Sequence, residues 1–249
     1  MKQDLRSNSW ILSSLLSVVL VIGCADMAGG TSAASPDFHA LVASPDRSAA
    51  DRQADERRKP EQLLAFTGVR TGMKVLDVGA GGGYTTELLA RAVGPQGVVY
   101  AQNTQSREIF EKRMKTPAMK NVVAVIQPFD DPAPPEAKNL DLITMILIYH
   151  DTTYLPVDRA KMDRRFFELL KPGGHLIIVD HSAKAGAGTS VGKSWHRIEE
   201  ALLRHEVEAA GLKFEAEDDF LRNPDDPRDA AFFDMKIPTD RFALKFVRP

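Results

Sequence analysis

A chain of 249 residues is long enough to bury one substantial core, and a single main domain is the simplest expectation. Its 32 basic and 34 acidic residues nearly cancel, which argues against a nucleic-acid surface held by bulk positive charge. The lone cysteine excludes an intrachain disulfide framework and a cysteine-based zinc site.

At the amino terminus, Lys2 and Arg6 precede an apolar run from Trp10 to Ile22. The run is short for a membrane span and suited to a signal-peptide core. Val21-Ile22-Gly23-Cys24 has the form of a lipobox, in which Cys24 is lipidated after cleavage before it; an ordinary signal peptide cut near residues 25–34 is the other reading. Residues 1–23 are therefore expected to be a lipoprotein-type signal peptide, and the mature protein to be periplasmic and tethered to a membrane through Cys24. Residues 24–46, rich in Gly, Ser, Thr, Ala and Pro, are expected to be a flexible tether, with the folded domain over 47–249. Arg47 to Lys59 is densely charged and helical in pattern, and Arg57-Arg58-Lys59-Pro60 reads most simply as a solvated face, with a role in closing over the cofactor as the other reading. Pro60 opens a second helix with Leu63, Leu64 and Phe66 inside, and Gly68 ends it.

The most informative stretch runs from Val75 to Tyr84, Val-Leu-Asp-Val-Gly-Ala-Gly-Gly-Gly-Tyr. It reads as a strand, a tight turn and a helix start, with glycines where a ligand must lie against bare backbone. The spacing is not Gly-x-Gly-x-x-Gly, since Tyr84 and Thr86 stand where the sixth-position glycine would fall, and no Gly-Lys-Ser/Thr follows. Asp-x-Gly-x-Gly-x-Gly after a strand resembles the class I S-adenosylmethionine-dependent methyltransferases. The resemblance implies that Asp77, Gly79, Ala80, Gly81, Gly83 and Tyr84 hold the amino-acid end of S-adenosylmethionine.

After this turn the helix continues to Val93 and is stopped by Gly94-Pro95-Gln96-Gly97; Val98 to Ala101 is the second strand. An acid commonly binds the ribose at the end of such a strand, and Asn103 occupies the matching position here, a departure that removes the charge. A helix over 106–115 and a strand over 121–126 lead to Asp130, which the resemblance assigns to the adenine amino group, with Asp131 in reserve. The alternative for Asp130 is a start to the Pro-rich turn that follows.

Leu140 to Ile148 is almost continuously apolar, as a central parallel strand buried on both faces should be. It runs into Tyr149-His150-Asp151, polar residues at the carboxyl end of a central strand, where ligands bind in open α/β sheets. These three are the expected catalytic residues, with His150 or Asp151 taking a proton from the acceptor; a structural pairing of Asp151 as a cap and His150 as a packed side chain is the other reading. A helix over 157–170, the turn Lys171-Pro172-Gly173-Gly174 and a fifth strand over 175–179 follow. Leu-Lys-Pro-Gly-Gly is a second recurring signature of these methyltransferases. Asp180-His181 ends the fifth strand on the ligand-facing rim, Ala183 to Gly192 reads as a mobile lid, and Trp195-His196-Arg197 starts a long helix, with His196 and Arg197 either contacting substrate from the lid side or forming a surface pair. The Tyr-His-Asp, Leu221 to Asp226 and Thr239 to Phe242 stretches are similar to those of a bacterial exported subgroup of predicted methyltransferases. The histidines lack His-x-x-x-His or His-x-Glu spacing, so no metal site is expected.

The expected fold is thus α/β: a Rossmann-like, seven-stranded, mostly parallel sheet with helices on both faces and an antiparallel final strand pair. The expected function is methyl transfer from S-adenosylmethionine to a small-molecule acceptor, with no nucleic-acid partner. The alternative is an exported, non-catalytic binding module that keeps the same fold.

Overall fold

The structure is a computed structural model that describes residues 35–249. The signal-peptide and lipidation expectations, and the first part of the tether, fall outside the described residues. Among the described residues no helix is long and apolar enough to cross a membrane.

Three helices come first: α1 (Phe38–Val42), α2 (Ala49–Arg58) and α3 (Pro60–Thr67). The sheet is then built by β1 (Lys74–Val78), α4 (Tyr84–Val93), β2 (Val98–Asn103), α5 (Glu108–Met114), β3 (Val122–Ile126), β4 (Leu140–Ile146), α6 (Arg159–Leu169) and β5 (Leu170–His181). The chain closes with α7 (Gly192–Trp195), α8 (Glu200–Ala209), β6 (Lys213–Asp218) and β7 (Arg241–Val247). The seven strands lie in the order β3-β2-β1-β4-β5-β7-β6, parallel as far as β5, with β7 antiparallel to both β5 and β6. The expected Rossmann-like sheet is therefore present, including its antiparallel final pair.

Successive strand residues face opposite sides of a sheet, and the two cores follow that alternation. Val75, Val99, Leu142 and Ile177 face α3 and α4, against Leu63, Leu64, Leu88, Leu89 and Val93. Their neighbours Leu76, Tyr100, Ile143 and Leu176 face α6 and α8, against Met162, Phe166, Leu203 and Val207. Burial on both faces is why β4 reads as one apolar run. The Lys-Pro-Gly-Gly turn is shorter than expected from the sequence. Leu170 already pairs with Leu140, and the ladder resumes at Leu142 opposite His175, so the turn is a bulge within β5.

Residues 37–46 depart from the tether expected there. Asp37 caps α1, and Phe38, Leu41 and Val42 pack against the core formed by α3 and α4. Arg91 of α4 holds the following turn through Ser44 Oγ at 3.1 Å and Asp46 Oδ2 at 3.0 Å. The composition is that of a linker, but three apolar side chains at helical spacing find a groove, which composition alone does not reveal.

Candidate active site

The carboxyl ends of β1, β4 and β5 lie side by side, with Val78 opposite Met145 and Met145 opposite Ile178. The glycine loop and the 147–154 segment leave the sheet along this edge, where β5 ends at His181, which is where ligands bind in open α/β folds.

On the β1 side, Gly79, Gly81 and Gly83 all have positive φ, at 68°, 60° and 85°. A side chain at Gly79 would meet Ile148 at 2.9 Å, and one at Gly83 would meet Arg113 at 2.9 Å. At Gly81 the same direction is open, with Gly79 O at 3.8 Å as the nearest atom. The loop is held from beneath: Gln102 Oε1 accepts from Gly79 N at 2.8 Å, Gln102 O from Ala80 N at 2.8 Å, and Asn103 Oδ1 from Gly81 N at 2.9 Å. Helix α4 then starts at Tyr84 with no side-chain cap, so its first-turn amides present partial positive charge to a ligand.

Three residues expected to touch the cofactor do other work. Asp77 is buried, and its two oxygens accept from Thr86 Oγ1 at 2.6 Å and Thr144 Oγ1 at 2.8 Å. It clasps β1 to α4 and β4; burial pushes its carboxyl up to about 6 against the pull of the two hydroxyls. Asn103 spends its side chain on the loop backbone, accepting from Gly81 N and donating to Gly81 O, instead of facing a ribose. Asp130 pairs with Lys161 Nζ at 3.3 Å and lines a shallow surface recess. The apolar recess beyond β2 and β3 is lined instead by Thr104, Ile126, Pro128, Phe129, Leu155 and Val157, with a volume of about 460 Å³. Tyr84 is where expected at the helix start, but its hydroxyl donates to Asp55 Oδ1 at 2.5 Å, tying α4 to α2.

The amino-acid end of S-adenosylmethionine needs bare backbone and a cationic end; its adenine needs a flat apolar recess. Gly81, the uncapped start of α4 and the 460 Å³ recess supply these, so the residues present fit that group. The guanidinium of Arg58 adds charge. It lies 4.7 Å above the Tyr84 ring and has no ion pair among the described residues, and burial draws its pKa down. Arg58 was read from the sequence as solvated; only the packing of α2 over the loop brings it inward.

On the β4–β5 side a cavity of about 620 Å³ opens. Leu147, at φ 60°, turns the chain sharply after β4 and starts the short 3₁₀ segment Tyr149–Thr153. That turn separates the three expected catalytic residues. Tyr149 is fully buried and points away from the cavity; its hydroxyl lies 2.9 Å from both Asp163 Oδ2 and Glu206 Oε2, between α6 and α8. It is a packing residue. His150 and Asp151 do line the cavity.

His150 is buried, with Nδ1 2.6 Å from Asp180 Oδ1 and its backbone N–H 2.8 Å from Asp180 Oδ2. Its Nε2 lies 3.1 Å from Asp151 Oδ1 and 3.2 Å from His196 Nδ1. Burial opposes the charged imidazole, but the Asp180 and Asp151 carboxylates outweigh it and hold the pKa up at about 10. His150 therefore keeps its proton at neutral pH and is not the free base expected. Burial also acts on Asp151, yet His150 and Tyr154 hold its carboxyl below the usual range.

His181 and His196 lie at this cavity, as their places at the strand end and on the lid side led one to expect, whereas Phe232 and Arg241 were not foreseen. His181, its Nδ1 2.7 Å from Thr239 Oγ1, stacks on Phe232 at 4.9 Å; burial drives its pKa down to about 3, so it is a neutral wall. Arg241, at the start of β7, is buried with Nε unpartnered, and burial with the nearby Arg58 and Arg57 charges lowers it to about 10. With Arg57, Arg58 and Lys236 it makes one wall of the cavity cationic. His196 sits in the left-handed region at φ 52°, after the short helix α7 and not inside a long one. Arg197 beside it is fully buried against Asp226, at 2.7 Å, and serves the packing.

A profile of the methyltransferase-domain family matches residues 49–217. The ubiquinone/menaquinone biosynthesis C-methyltransferases of Idiomarina loihiensis and Vibrio campbellii are 31% and 30% identical over 49% and 47% of this chain. The aligned part is about half of those relatives, at 47% and 44% of their lengths. In fold, a SAM-dependent methyltransferase from Aquifex aeolicus superimposes with a TM-score of 0.60 at 21% identity, over 79% of this chain and 93% of that one. The 1,6-didemethyltoxoflavin-N1-methyltransferase of Burkholderia thailandensis, solved with S-adenosylhomocysteine, gives 0.52 at 19% identity, over 80% and 78%. None of these comparisons favours the alternative of a non-catalytic binding module. Sheet order and family match agree, and the chain belongs to the methyltransferase-domain family.

Proposed function

We propose that the methyl acceptor is a small molecule carrying an acidic group, docked in the cavity beyond β4 and β5. The observation that carries this is the cavity wall formed by Arg57, Arg58, Lys236 and Arg241, with Arg241 Nε buried and unpartnered. A buried donor of that kind costs stability until an acceptor reaches it. A volume of about 620 Å³ suits a compact ligand. The relatives' naming as C-methyltransferases of quinone biosynthesis also supports a small acceptor.

S-adenosylmethionine supplies an already electrophilic methyl group, so the chain's own residues have to align the acceptor and exclude water. Arg241 and Arg58 hold the acidic group. Asp151, half-buried and facing the cavity, accepts the hydrogen of the acceptor's hydroxyl or amine, and His150, braced by Asp180, keeps Asp151 in place. Phe232 and His181 cover the site with apolar surface.

Labelled S-adenosylmethionine incubated with a cell extract separated by size and charge tests this. Label is expected in small anionic products, and Arg241→Gln should raise KM for that acceptor more than it lowers kcat. Label confined to protein or nucleic-acid fractions would sink the proposal. The lipobox supports a periplasmic, membrane-tethered placement as part of the same reading; Cys24→Ser should then move the protein from the membrane to the soluble fraction.

A further inference from the structure

Three polar side chains meet at the floor of the cavity at the spacing of ligands around one ion. His150 Nε2, His196 Nδ1 and Asp151 Oδ1 form a triangle with sides of 3.1, 3.2 and 3.3 Å. Two imidazole nitrogens thus converge on one carboxylate oxygen and on each other, and the Tyr154 hydroxyl contacts the same oxygen. With bonds of about 2.1 Å, neighbouring ligands of a tetrahedral or octahedral ion lie about 3.0–3.4 Å apart. The triangle has that edge length.

A second observation is independent of the first. Asp180 grips His150 Nδ1 at 2.6 Å and is itself fixed by the backbone N–H groups of His150 and His181, both at 2.8 Å. That grip leaves Nε2 as the outward nitrogen, the carboxylate–histidine arrangement that orients metal-binding imidazoles. The ligands come from the end of β4 and the turn after α7, so no linear spacing announces them.

We propose that His150, Asp151 and His196 bind one divalent first-row transition-metal ion, with open coordination positions facing the 620 Å³ cavity. Two histidines and one carboxylate on one side of an ion leave the other side for exogenous ligands. Binding displaces the proton on His150 Nε2, which goes to solvent. An oxygen of the acceptor occupies an open position while its acidic group reaches Arg241. This last clause rests on the acceptor reading above; the ion site does not.

The test uses the full chain stripped with a chelator and titrated with Co²⁺, then Zn²⁺, in the absence of S-adenosylmethionine. Stoichiometric binding is expected, with visible cobalt ligand-field bands that Zn²⁺ abolishes. Loss of an orienting partner costs about 10–100-fold in affinity, so His196→Ala and Asp151→Ala should each cost at least about 100-fold. His175→Ala, at a surface histidine 3.1 Å from Glu215, should bind as the parent does. Nitrogen chemical shifts of His150 and His196 in the unmutated chain should move on adding Zn²⁺ while that of His175 stays, which covers the case of a variant that fails to fold. Salicylate, an oxygen-chelating probe, should shift the cobalt bands. Absent bands, or binding that persists in both ligand variants, overturns the site; bands that salicylate leaves unmoved overturn the open positions. Calorimetry with S-adenosylmethionine separates the two readings. A chain that binds this cofactor but no metal loses only the ion site, and one that binds metal but no cofactor loses only the acceptor reading.

Discussion

The two halves of the ligand-binding edge are made in opposite ways. The glycine loop is local: ten consecutive residues, Val75 to Tyr84, carry its strand, turn and helix start, and its support comes from Gln102 and Asn103 on the adjacent strand. The cavity beyond β4 is assembled from His150, Asp151, His181, His196, Phe232 and Arg241, which meet only when β7 enters the sheet beside β5. A local site is fixed by backbone geometry; a dispersed one depends on long-range packing. The two should therefore fail differently when perturbed.

The largest effect is expected where the dispersed site is anchored. Arg197 and Asp226 are both fully buried, and Arg197 also donates to Ser182 O at 2.9 Å and Ala230 O at 2.8 Å, pinning the 226–230 turn to the end of β5. Asp226→Ala leaves that guanidinium uncompensated and should cost about 3–5 kcal/mol in denaturant unfolding. S-adenosylmethionine affinity per folded molecule should change little, because the glycine loop does not use this anchor.

A pH effect is expected at the loop's foundation. The Asp77 carboxyl is raised from 3.8 to about 6 by burial, so the folded state holds its proton more tightly than the unfolded chain. Its contribution is full below pH 3.8 and is lost as pH rises through 6, with a slope of up to about 1.4 kcal/mol per pH unit. Asp77→Asn should remove that component from the stability–pH curve. An unchanged curve would show that Asp77 titrates normally.

Smaller in stability but diagnostic in binding is Gly81→Ala. The left-handed conformation at φ 60° costs a non-glycine residue roughly 1–2 kcal/mol, and there is no clash to add. The new methyl group enters the open crevice, so affinity for S-adenosylmethionine should fall about tenfold or more, equivalent to about 1.4 kcal/mol. Retained affinity would place the cofactor elsewhere. The smallest change is expected for Asn103→Ala, which frees one amide of the loop and should cost about 0.5–1.5 kcal/mol with a modest loss of affinity. Asn103→Asp, which keeps the accepting oxygen, should cost less.

The contrast also explains what was legible in advance. The strand–turn–helix at 75–84 is written in consecutive glycines, and β4 in consecutive apolar residues, so both were readable without coordinates. Tyr149 was misread because three polar residues in a row at a strand end look equivalent, whereas the left-handed Leu147 and the 3₁₀ turn rotate the first of them into the core. Asp130 was misread because its competing partner, Lys161, comes from the following helix, α6. Arg58 was misread because a charged helix looks solvated until Tyr84 is seen beneath it.

Sequence alone determined the sheet class, the position of the cofactor loop and the family, because these rest on hydrophobic periodicity and on glycine conformations that neighbouring residues encode. Tertiary structure decided which side chains face the cavity, that residues 38–42 pack as a helix, and that two histidines and an aspartate converge within 3.3 Å. Those outcomes depend on distances between residues remote in the chain, which packing sets and no local pattern records.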